Sequence, residues 1–323
     1  MSELVLITGG AGYIGAHASR ELAASGRRVR VLDRLLHGQR AVAAALEREG
    51  IEVVEGDIRD GDTRIAALSG AGAVIHLAAI VGDPACARDP ELSNDVNIGA
   101  GTALVADAES AGVTRFVFAS TCSNYGRMLD PTTPIREDGE LRPVSLYASQ
   151  KVHMEQLLLG LESDTLHPTC LRLATVYGAA PRMRFDLTVN EFTRDLWAGR
   201  DLEVFGEQFW RPYVHARDVA AAIRTVLDAP LERVDREVFN VGRSSENYRK
   251  LDLVDKIREQ VSAGTVRYVT RSDDPRDYKV SFEKIRNGLG FETSMTVSDG
   301  IAELVHDLET GAFGDPYDPG FRN

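Results

Sequence analysis

Near the start of the chain the sequence reads Thr8-Gly9-Gly10-Ala11-Gly12-Tyr13-Ile14-Gly15, directly after an apolar run, Leu4–Ile7. Glycines let the backbone turn tightly and approach a pyrophosphate, and the first turn of a following helix adds N–H groups and a positive dipole end. An acidic residue, Asp33, ends the next apolar run. This order of strand, glycine turn, helix and acid predicts a dinucleotide site. The alternative is a structural turn beside a solvated aspartate.

Asp33 also indicates which dinucleotide is bound. A carboxylate at this position accepts both ribose hydroxyls and repels a 2′-phosphate, so it favours NAD over NADP. Arg34 follows directly and is placed to soften that preference. After the third apolar run comes Gly56-Asp57-Ile58, in which Asp57 either receives the adenine amino group or only completes a turn.

Short β-branched runs alternate with helical patterns through the first half of the chain. The strand candidates are Leu4–Thr8, Arg28–Leu32, Ile51–Glu55, Ala73–Leu77, Arg115–Ala119 and Thr169–Ala174, and the helix candidates between them include Tyr13–Ser25 and Asn97–Ala111. This alternation predicts an α/β fold, a Rossmann-type doubly wound parallel sheet with a smaller C-terminal substrate-binding part.

The boundaries of the two parts are drawn where the alternation weakens. We expect residues 1–178 and about 213–243 to form the NAD-binding domain. Residues 179–212 and 244–323 are expected to form the substrate-binding domain. The last residues, Pro316–Asn323, are expected to be extended or poorly ordered.

Composition excludes several classes of protein. The 323 residues have the apolar and charged content of a soluble globular chain and a formal net charge of −12. This acidity argues against nucleic acid or an anionic membrane as the main partner. No apolar run could span a bilayer and no secretory signal pattern is present, so we expect a cytoplasmic protein. Cys86, Cys122 and Cys170 have neither disulfide nor metal-ligand spacing, which indicates reduced thiols and no metal.

A tyrosine and a lysine stand one helical turn apart in Tyr147-Ala-Ser-Gln-Lys151, at the start of a helical pattern. Residues i and i+4 share a helix face. A free phenol titrates near ~10, and a nearby ammonium lowers its pKa. The pair therefore suits proton transfer coupled to hydride transfer. Alone the pair is better explained as a surface Tyr and Lys, because this spacing often occurs by chance. Its position downstream of the glycine turn, at the start of a helical pattern, favours catalysis.

A polar stretch, Ser120-Thr121-Cys122-Ser123-Asn124-Tyr125-Gly126, follows the fifth strand candidate. Ligands bind at the carboxyl ends of parallel strands, so the Thr121 hydroxyl is placed to bond the substrate oxygen that Tyr147 deprotonates. The alternative is a loop whose hydroxyls cap backbone groups. Cys122 also has two interpretations. It is either an acid/base group beside a transient ketone, which requires access and a lowered pKa, or a small packed thiol.

Taken together and in order, these residues resemble the extended short-chain dehydrogenase/reductase family over nearly the whole chain. The resemblance is carried by Gly9-x-x-Gly12-x-x-Gly15, Asp33, Gly56-Asp57, His76-Leu77-Ala78-Ala79, Asn97, Ser120-Thr121, Tyr147-x-x-x-Lys151, and Leu171-Arg172 through Tyr177-Gly178. It implies an NAD cofactor whose nicotinamide ribose is held by Lys151. The cofactor-binding residues it implies are Gly9, Gly12, Tyr13, Ile14, Gly15, Asp33, Asp57, Ile58, Leu77, Ala78, Ala79, Asn97, Tyr147 and Lys151.

Later segments resemble the branch of that family that acts on sugar nucleotides. They read Arg211-Pro212-Tyr213-Val214-His215-Ala216-Arg217-Asp218-Val219, Phe239-Asn240-Val241-Gly242 and Asp274-Pro275-Arg276. The resemblance implies that Arg211 and Arg276 bind the diphosphate, which a planar guanidinium matches; a surface salt bridge is the alternative for each. His215 and Asp218 are expected to join the domains. The expected substrate-binding residues are Thr121, Ser123, Asn124, Tyr147, Arg184, Asn190, Arg211 and Arg276.

The positions after Thr121 separate the reactions of this branch. The 4,6-dehydratases carry an Asp-Glu pair there and decarboxylases a Glu at the second place, whereas this chain has Cys122 and Ser123. A 4-epimerase needs only the hydroxyl, Tyr147 and Lys151. We therefore expect an NAD-dependent nucleotide-sugar epimerase acting at C4. A dehydratase or ketoreductase of the family is the alternative, and a non-catalytic NAD(P)-binding regulator is the alternative from another class. The family also implies a homodimer.

Overall fold

The first half of the chain builds a parallel sheet with helices on both faces. The computed structural model describes residues 3–128, 133–269 and 276–323. Its strands are β1 (Leu4–Thr8), β2 (Arg28–Asp33), β3 (Glu52–Glu55), β4 (Ala71–His76), β5 (Arg115–Thr121), β6 (His167–Leu173), β7 (Thr175–Tyr177), β8 (Asp201–Phe205), β9 (Trp210–His215), β10 (Glu237–Val241), β11 (Asn247–Arg249) and β12 (Thr265–Val269).

Twelve α-helices lie within the described residues. They are α1 (Gly15–Ala24), α2 (Arg40–Arg48), α3 (Gly61–Leu68), α4 (Asp83–Arg88), α5 (Pro90–Asn94), α6 (Gly101–Ser110), α7 (Leu146–Leu159), α8 (Thr188–Trp197), α9 (Ala216–Asp228), α10 (Lys250–Arg258), α11 (Glu283–Leu289) and α12 (Val297–Glu309). A π-helical turn, Asp95–Ala100, joins α5 to α6. Shorter 3-10 turns cover Cys122–Tyr125, Leu231–Arg233 and Pro319–Phe321.

The central sheet has seven parallel strands in the order β10-β6-β5-β4-β1-β2-β3. Every residue of β1 is buried. Val5 and Ile7 belong to the core on the side of α1, α2 and α9, whereas Leu4 and Leu6 belong to the core on the side of α3, α6 and α7. A strand covered on both faces needs a continuous apolar run, and this explains its sequence. The predicted Rossmann-type fold is confirmed.

Outside this sheet the chain forms a smaller part around a separate apolar core. Strand β9 pairs with β7 in parallel and with β11 in antiparallel orientation, and β12 pairs with β8 in parallel. Helices α8, α10 and α12 supply much of the core, which includes Tyr177, Phe185, Leu253 and Ile301. The paired strands and helices place this core beside the carboxyl end of the central sheet.

Two side chains connect α9 to the segment that contains α12. The carboxylate of Asp218 accepts hydrogen bonds from the backbone N–H groups of Ser294 and Met295 at 2.8 and 3.1 Å. The ring Nε2 of His215 lies 2.8 Å from the carboxylate of Glu303 on α12. His215 and Asp218 therefore make the connecting contacts expected of them.

The prediction for Pro316–Asn323 was wrong. This segment contains a 3-10 turn, and the backbone N–H of Phe185 donates to the carbonyl of Phe321 at 2.9 Å. The rings of Phe313 and Phe321 meet the ring of Phe185 edge-on, so aromatic burial orders a stretch whose prolines and glycines indicated disorder.

Two expectations concern what the described residues contain. Within residues 3–128, 133–269 and 276–323, no helix is both long enough and apolar enough to cross a membrane. The same part of the chain contains no group of three or more His, Cys, Asp or Glu side chains able to hold a metal ion. Of the predicted diphosphate segment, Asp274 and Pro275 lie outside the described residues.

Candidate active site

An open cleft lies at the carboxyl ends of β1, β2 and β4. It is lined by the glycine turn, by residues that follow these strands and by the start of α7. From the predicted cofactor set it brings together Gly9, Gly12, Tyr13, Ile14, Gly15, Asp33, Asp57, Ile58, Leu77, Ala78, Ala79, Tyr147 and Lys151. Side chains from distant segments thus converge at the edge of the sheet where parallel folds bind ligands.

The glycine turn is packed too closely for a side chain at Gly9 or Gly15, and Gly9, Gly12 and Gly15 line the cleft. Gly9 has a φ of +73°, and a Cβ there would lie 2.8 Å from the backbone nitrogen of Ala78. A Cβ on Gly15, the first residue of α1, would overlap the carbonyl oxygen of Gly9. The turn therefore exposes the amino end of α1 to the cleft, which is the arrangement that receives a pyrophosphate.

Acidic and basic side chains lie together at the part of the cleft that follows β2 and β3. The carboxylate of Asp33 accepts hydrogen bonds from the backbone of Ala11 at 3.0 Å and of Leu35 at 2.9 Å. Burial raises the pKa of Asp33, and these two N–H groups oppose that shift. Arg34 pairs with Asp57 at 3.2 Å. Because Asp57 neutralises Arg34, the softening of the NAD preference expected from Arg34 is reduced.

Asp57 itself makes the local contacts of a turn aspartate. Its carboxylate accepts from the backbone N–H of Arg59 at 2.9 Å and from the Arg59 guanidinium at 2.7 Å. It also lines the cleft. The two interpretations of Asp57 are therefore compatible, since the turn contacts leave the side chain at the cleft wall.

Asn97 does not line the cleft, contrary to its assignment as a cofactor contact. It lies in the π-helical turn, where its amide accepts from the N–H of Ile80 at 2.8 Å and donates to the Ile80 carbonyl at 3.0 Å and to Gln150 at 2.8 Å. The neighbouring Val96 reaches the cleft instead. Asn97 thus positions the loop after β4.

Tyr147 and Lys151 face the cleft from the first two turns of α7. The side chain of Ser145 caps this helix by accepting from the N–H of Ala148. The Lys151 ammonium donates to the carbonyl of Ala119 at 2.7 Å and lies 5.8 Å from the centre of the Tyr147 ring. The predicted pair is therefore present on one helix face.

The pKa values of this pair are governed by burial. Burial lowers the pKa of Lys151 to about 8 and raises the pKa of Tyr147, the opposite direction to that inferred from the spacing. The ammonium is bonded to the Ala119 carbonyl, 5.8 Å from the phenol ring centre, so loss of solvation outweighs its attraction for a phenolate. A further positive charge beside Tyr147 is needed to lower its pKa.

Thr121 ends β5 and caps the turn that follows. Its hydroxyl oxygen accepts from the N–H of Ser123 at 3.1 Å, which is the capping role considered as the alternative. An accepting hydroxyl retains its own O–H as a donor, so capping is compatible with a bond to substrate.

Cys122 and Asn124 point away from the cleft. The Cys122 thiol is buried and donates to the carbonyl of Arg172 at 3.2 Å, and burial raises the pKa of the thiol far above its usual range. Asn124 is fully buried and donates to Ser120 and to Glu155 at 3.1 and 2.9 Å. The packed-thiol interpretation of Cys122 fits this geometry, and Asn124 is not placed to contact a substrate.

A buried glutamate, Glu155, contacts Ser120, Asn124 and Arg172, and the sequence analysis did not predict it. Glu155 lies on α7 one turn beyond Lys151 and is fully buried. It pairs with Arg172 at 2.7 Å and accepts from the hydroxyl of Ser120, at the end of β5. The spacing Tyr147-x-x-x-Lys151-x-x-x-Glu155 places all three on one face, and it is the signal that identifies Glu155.

Three of the predicted substrate residues meet around Tyr278. The hydroxyl of Ser123 lies 3.3 Å from the Tyr278 hydroxyl, and the Arg211 guanidinium lies 5.1 Å from the Tyr278 ring centre. Arg211 also donates to the carbonyl of Arg276. Arg276 pairs at 3.0 Å with Asp83, at the start of α4. Two guanidinium groups and two hydroxyls thus lie together, with the Asp83 carboxylate beside them.

Arg184 and Asn190 have other surroundings than expected. Arg184 lines the same cleft as Tyr147 and Lys151 and pairs with Asp186 at 2.6 Å. Asn190 is completely buried; it accepts from the N–H of Gly178 at 2.9 Å and donates to the Tyr13 hydroxyl at 3.1 Å. Asn190 therefore ties the two parts of the chain together, and its assignment as a substrate contact is not supported.

Comparison with known proteins agrees with this geometry. Residues 5–242 match the NAD dependent epimerase/dehydratase family. The chain belongs to this family. Its NAD dependence is consistent with the glycine cradle and with Asp33 at the adenosine end, and NAD is the cofactor. The resemblance to extended short-chain dehydrogenases/reductases is thereby confirmed.

Individual members of the epimerase/dehydratase family match nearly the full chain. A UDP-glucose 4-epimerase of Rhizobium leguminosarum bv. trifolii is 28% identical over 323 residues, covering 93% of this chain and 95% of its own. The crystal structure of a Thermotoga maritima UDP-glucose 4-epimerase with UDP-glucose superposes with a TM-score of 0.85 at 26% identity, covering 96% and 99% of the chains. A dTDP-glucose 4,6-dehydratase from Streptomyces venezuelae with NAD bound gives a TM-score of 0.86 at 26% identity, covering 97% and 99%.

Proposed function

We propose that this protein is an NAD-dependent 4-epimerase of a nucleotide-diphosphate sugar. The observation that carries the proposal is the pair Tyr147 and Lys151 in the cleft, together with the residues at the end of β5. Thr121 ends that strand, and the two residues after it, Cys122 and Ser123, are not carboxylates. Elimination of water needs an acid and a base at the sugar, whereas epimerisation at C4 needs only one group that exchanges one proton. UDP-glucose is the first substrate to test, because relatives over the whole chain are UDP-glucose 4-epimerases.

The cofactor would lie along the cleft, with its pyrophosphate on the glycine turn, its adenosine ribose at Asp33 and its nicotinamide ribose at Lys151. When bound, NAD supplies a hydride acceptor and a positive charge that lowers the pKa of a neighbouring phenol. Tyr147 then takes the proton of the sugar hydroxyl and later returns it. Lys151 stays bonded to the Ala119 carbonyl, which fixes its ammonium on the Tyr147 face of α7.

The remaining residues orient the sugar nucleotide. Thr121 donates its O–H to the oxygen that Tyr147 deprotonates. Arg211 and Arg276 hold the diphosphate beside Tyr278 and Ser123. Binding of the diphosphate requires Arg276 to exchange its contact with Asp83 for phosphate oxygens, which a guanidinium fork accommodates. With the diphosphate fixed, the sugar ring is able to turn over and present its other face.

Three further assignments belong to this proposal. We propose that residues 1–178 with 213–243 and residues 179–212 with 244–323 act as separate cofactor and substrate domains, since the site draws residues from both. The family resemblance supports a homodimer. The absence of a membrane-spanning helix among the described residues is consistent with a cytoplasmic location.

The test is a panel of nucleotide sugars, starting with UDP-glucose, incubated with enzyme and NAD and analysed by mass spectrometry and proton NMR. We expect an unchanged mass and a new spectrum that identifies inversion at C4. Loss of 18 mass units, that of one water, would identify a dehydratase and contradict the proposal. The proposal would also be contradicted if the enzyme converted no nucleotide sugar of the panel.

Tyr147→Phe tests the catalytic assignment. Loss of the phenol oxygen should lower kcat about 10²- to 10⁴-fold, the usual contribution of a general acid/base, while NAD still binds. Tyr268→Phe, on the exposed strand β12, is the matched control and should keep full turnover. A Tyr147→Phe protein with unchanged turnover would overturn the mechanism. An inactive wild type whose NAD response survives the substitution would identify a regulator.

A further inference from the structure

Residues 313–323, here called the strap, leave α12 and run over the smaller part of the molecule to the cofactor cleft. Tyr317 is held between two cations, with Arg194 and Arg200 at 4.4 and 3.7 Å from its ring centre. Its hydroxyl donates to Asp195 at 2.9 Å. Phe321 packs edge-on against Phe185, and its carbonyl accepts the Phe185 N–H. These anchors fix the path of the strap.

The strap ends at the wall of the cofactor cleft. Asn323 lines that cleft together with Asp33, His37 and Arg182. One guanidinium nitrogen of Arg182, Nη2, donates to the carbonyl of Arg322 at 2.8 Å. A segment more than 130 residues away from Arg182 in sequence therefore orients this side chain at the adenosine end of the cleft.

Arg182 is a buried cation that forms no ion pair within 4 Å among the described residues, although the carboxylates of Asp186 and Asp33 lie near enough to favour its charge. It is 6% exposed, and within residues 3–128, 133–269 and 276–323 its Nε has no hydrogen-bond partner. Burial lowers the pKa of Arg182 to about 10, and the nearby Arg184 adds to this shift. Arg184, by contrast, is paired with Asp186. Because buried charges in proteins are normally paired, Arg182 has the surroundings of a residue that receives an anion.

We propose that Arg182, held by the strap, binds a phosphate group of the dinucleotide, and that the strap thereby controls how tightly the cofactor is retained. The guanidinium fork matches phosphate oxygens, and a contact made in a buried site is worth more than one at the surface. The pyrophosphate is common to NAD and NADP, whereas the 2′-phosphate occurs only in NADP. The inference rests on the cofactor site of the proposed function and does not depend on which sugar is epimerised.

The first experiment measures binding of NAD and of NADP by calorimetry to the full chain freed of nucleotide, with no sugar present. Arg182→Gln should weaken NAD binding about 10- to 100-fold, the loss of a charge-assisted hydrogen bond, and Arg182→Lys should restore part of it. If the substitution weakens the binding of NADP but not of NAD, the phosphate group that Arg182 binds is the 2′-phosphate. Unchanged affinity for both dinucleotides would overturn the proposal. As a control for folding, the affinity of Arg182→Gln for UDP, which the proposed function assigns to Arg211 and Arg276, should equal that of the wild type.

The second experiment isolates the strap with a matched pair of substitutions. Phe321→Ala removes the ring that packs on Phe185, whereas Tyr268→Ala removes an exposed aromatic ring on β12, outside the strap. Stopped-flow release of NAD should be at least about fivefold faster in Phe321→Ala and unchanged in Tyr268→Ala, since loss of a partly buried aromatic contact costs about 1 kcal/mol. Equal release rates for wild type and Phe321→Ala would show that the strap does not retain the cofactor. Because no sugar is present, this result is independent of the epimerase assignment.

Discussion

Lys151 meets two opposing requirements at the scale of a single residue. Its ammonium must be charged to act on Tyr147, yet the side chain is only 5% exposed, and burial lowers its pKa from 10.5 to about 8. Between these two values the unfolded chain binds a proton that the folded chain does not. The free energy of unfolding therefore rises with pH across this window, and the cost of the buried charge is fully present below pH 8.

The consequence is a pH-dependent difference between wild type and Lys151→Met. From pH 8 to pH 10.5 the wild type should gain about 3 kcal/mol of unfolding free energy relative to Lys151→Met, which has no titrating group there. Urea unfolding at several pH values measures this difference. A constant difference would mean that the folded Lys151 titrates as it does in the unfolded chain.

Single residues also show where prediction from sequence is limited. Asn97, Asn124 and Asn190 were assigned to cofactor or substrate, yet each is buried and bonded to backbone or side-chain groups beside the site. An amide serves equally as a ligand contact and as a link between loops, and a motif does not determine which way it points. The glycines, Asp33, Tyr147 and Lys151 all line the cleft, and their positions in sequence are tied to the geometry of a turn, a strand end and a helix.

At the scale of elements, the glycine turn and α1 act as one unit. Because a Cβ on Gly15 would overlap the Gly9 carbonyl, Gly15→Ala must displace the turn that receives the pyrophosphate. We expect NAD affinity to fall at least about tenfold, equal to the loss of roughly one good hydrogen bond. Titration of the full chain with NAD checks this.

Gly288 provides the matched control for that substitution. It lies inside α11, where a methyl group added to its Cα would meet no atom within 4 Å, and its backbone is not left-handed. Gly288→Ala should raise the unfolding free energy by about 0.5–1 kcal/mol and leave NAD binding unchanged. If Gly15→Ala and Gly288→Ala have the same affinity for NAD, the glycine turn accommodates a Cβ at Gly15 without losing its contacts with the cofactor.

Elements differ in how well the sequence predicts them. The strands of the central sheet were recognised because burial on both faces demands continuous apolar runs, as in β1. The strap was missed because its anchors, Tyr317 and Phe321, are stabilised by Arg194, Arg200 and Phe185, more than 100 residues away. Local propensity carries no information about such partners.

At the scale of the whole molecule, hydrogen bonds of buried side chains connect the two parts of the chain, and those of Asp218 are an example. Asp218 is 2% exposed, and its carboxylate accepts from the Ser294 N–H and hydroxyl and from the Met295 N–H. Asp218→Asn should lower the unfolding free energy by about 2 kcal/mol, because charge-assisted hydrogen bonds at a buried site are lost. Hydrogen exchange should accelerate across residues 294–309.

Asp228, at the end of the same helix, is the control for this prediction. It pairs with Arg27 and Arg224 at the surface, so Asp228→Asn should cost less than about 1 kcal/mol and leave exchange in α12 unchanged. Equal effects of the two substitutions would mean that the contacts of Asp218 with Ser294 and Met295 contribute no more to stability than a surface ion pair does.

The burial of all three cysteines has a practical consequence for spectroscopy. Cys86, Cys122 and Cys170 are each buried, and burial raises the pKa of each thiol, so all three react slowly with maleimides. An exposed cysteine introduced at Arg322 would be labelled selectively in an otherwise native background. The emission of a fluorophore there would report the surroundings of the strap at the cofactor cleft, with and without NAD.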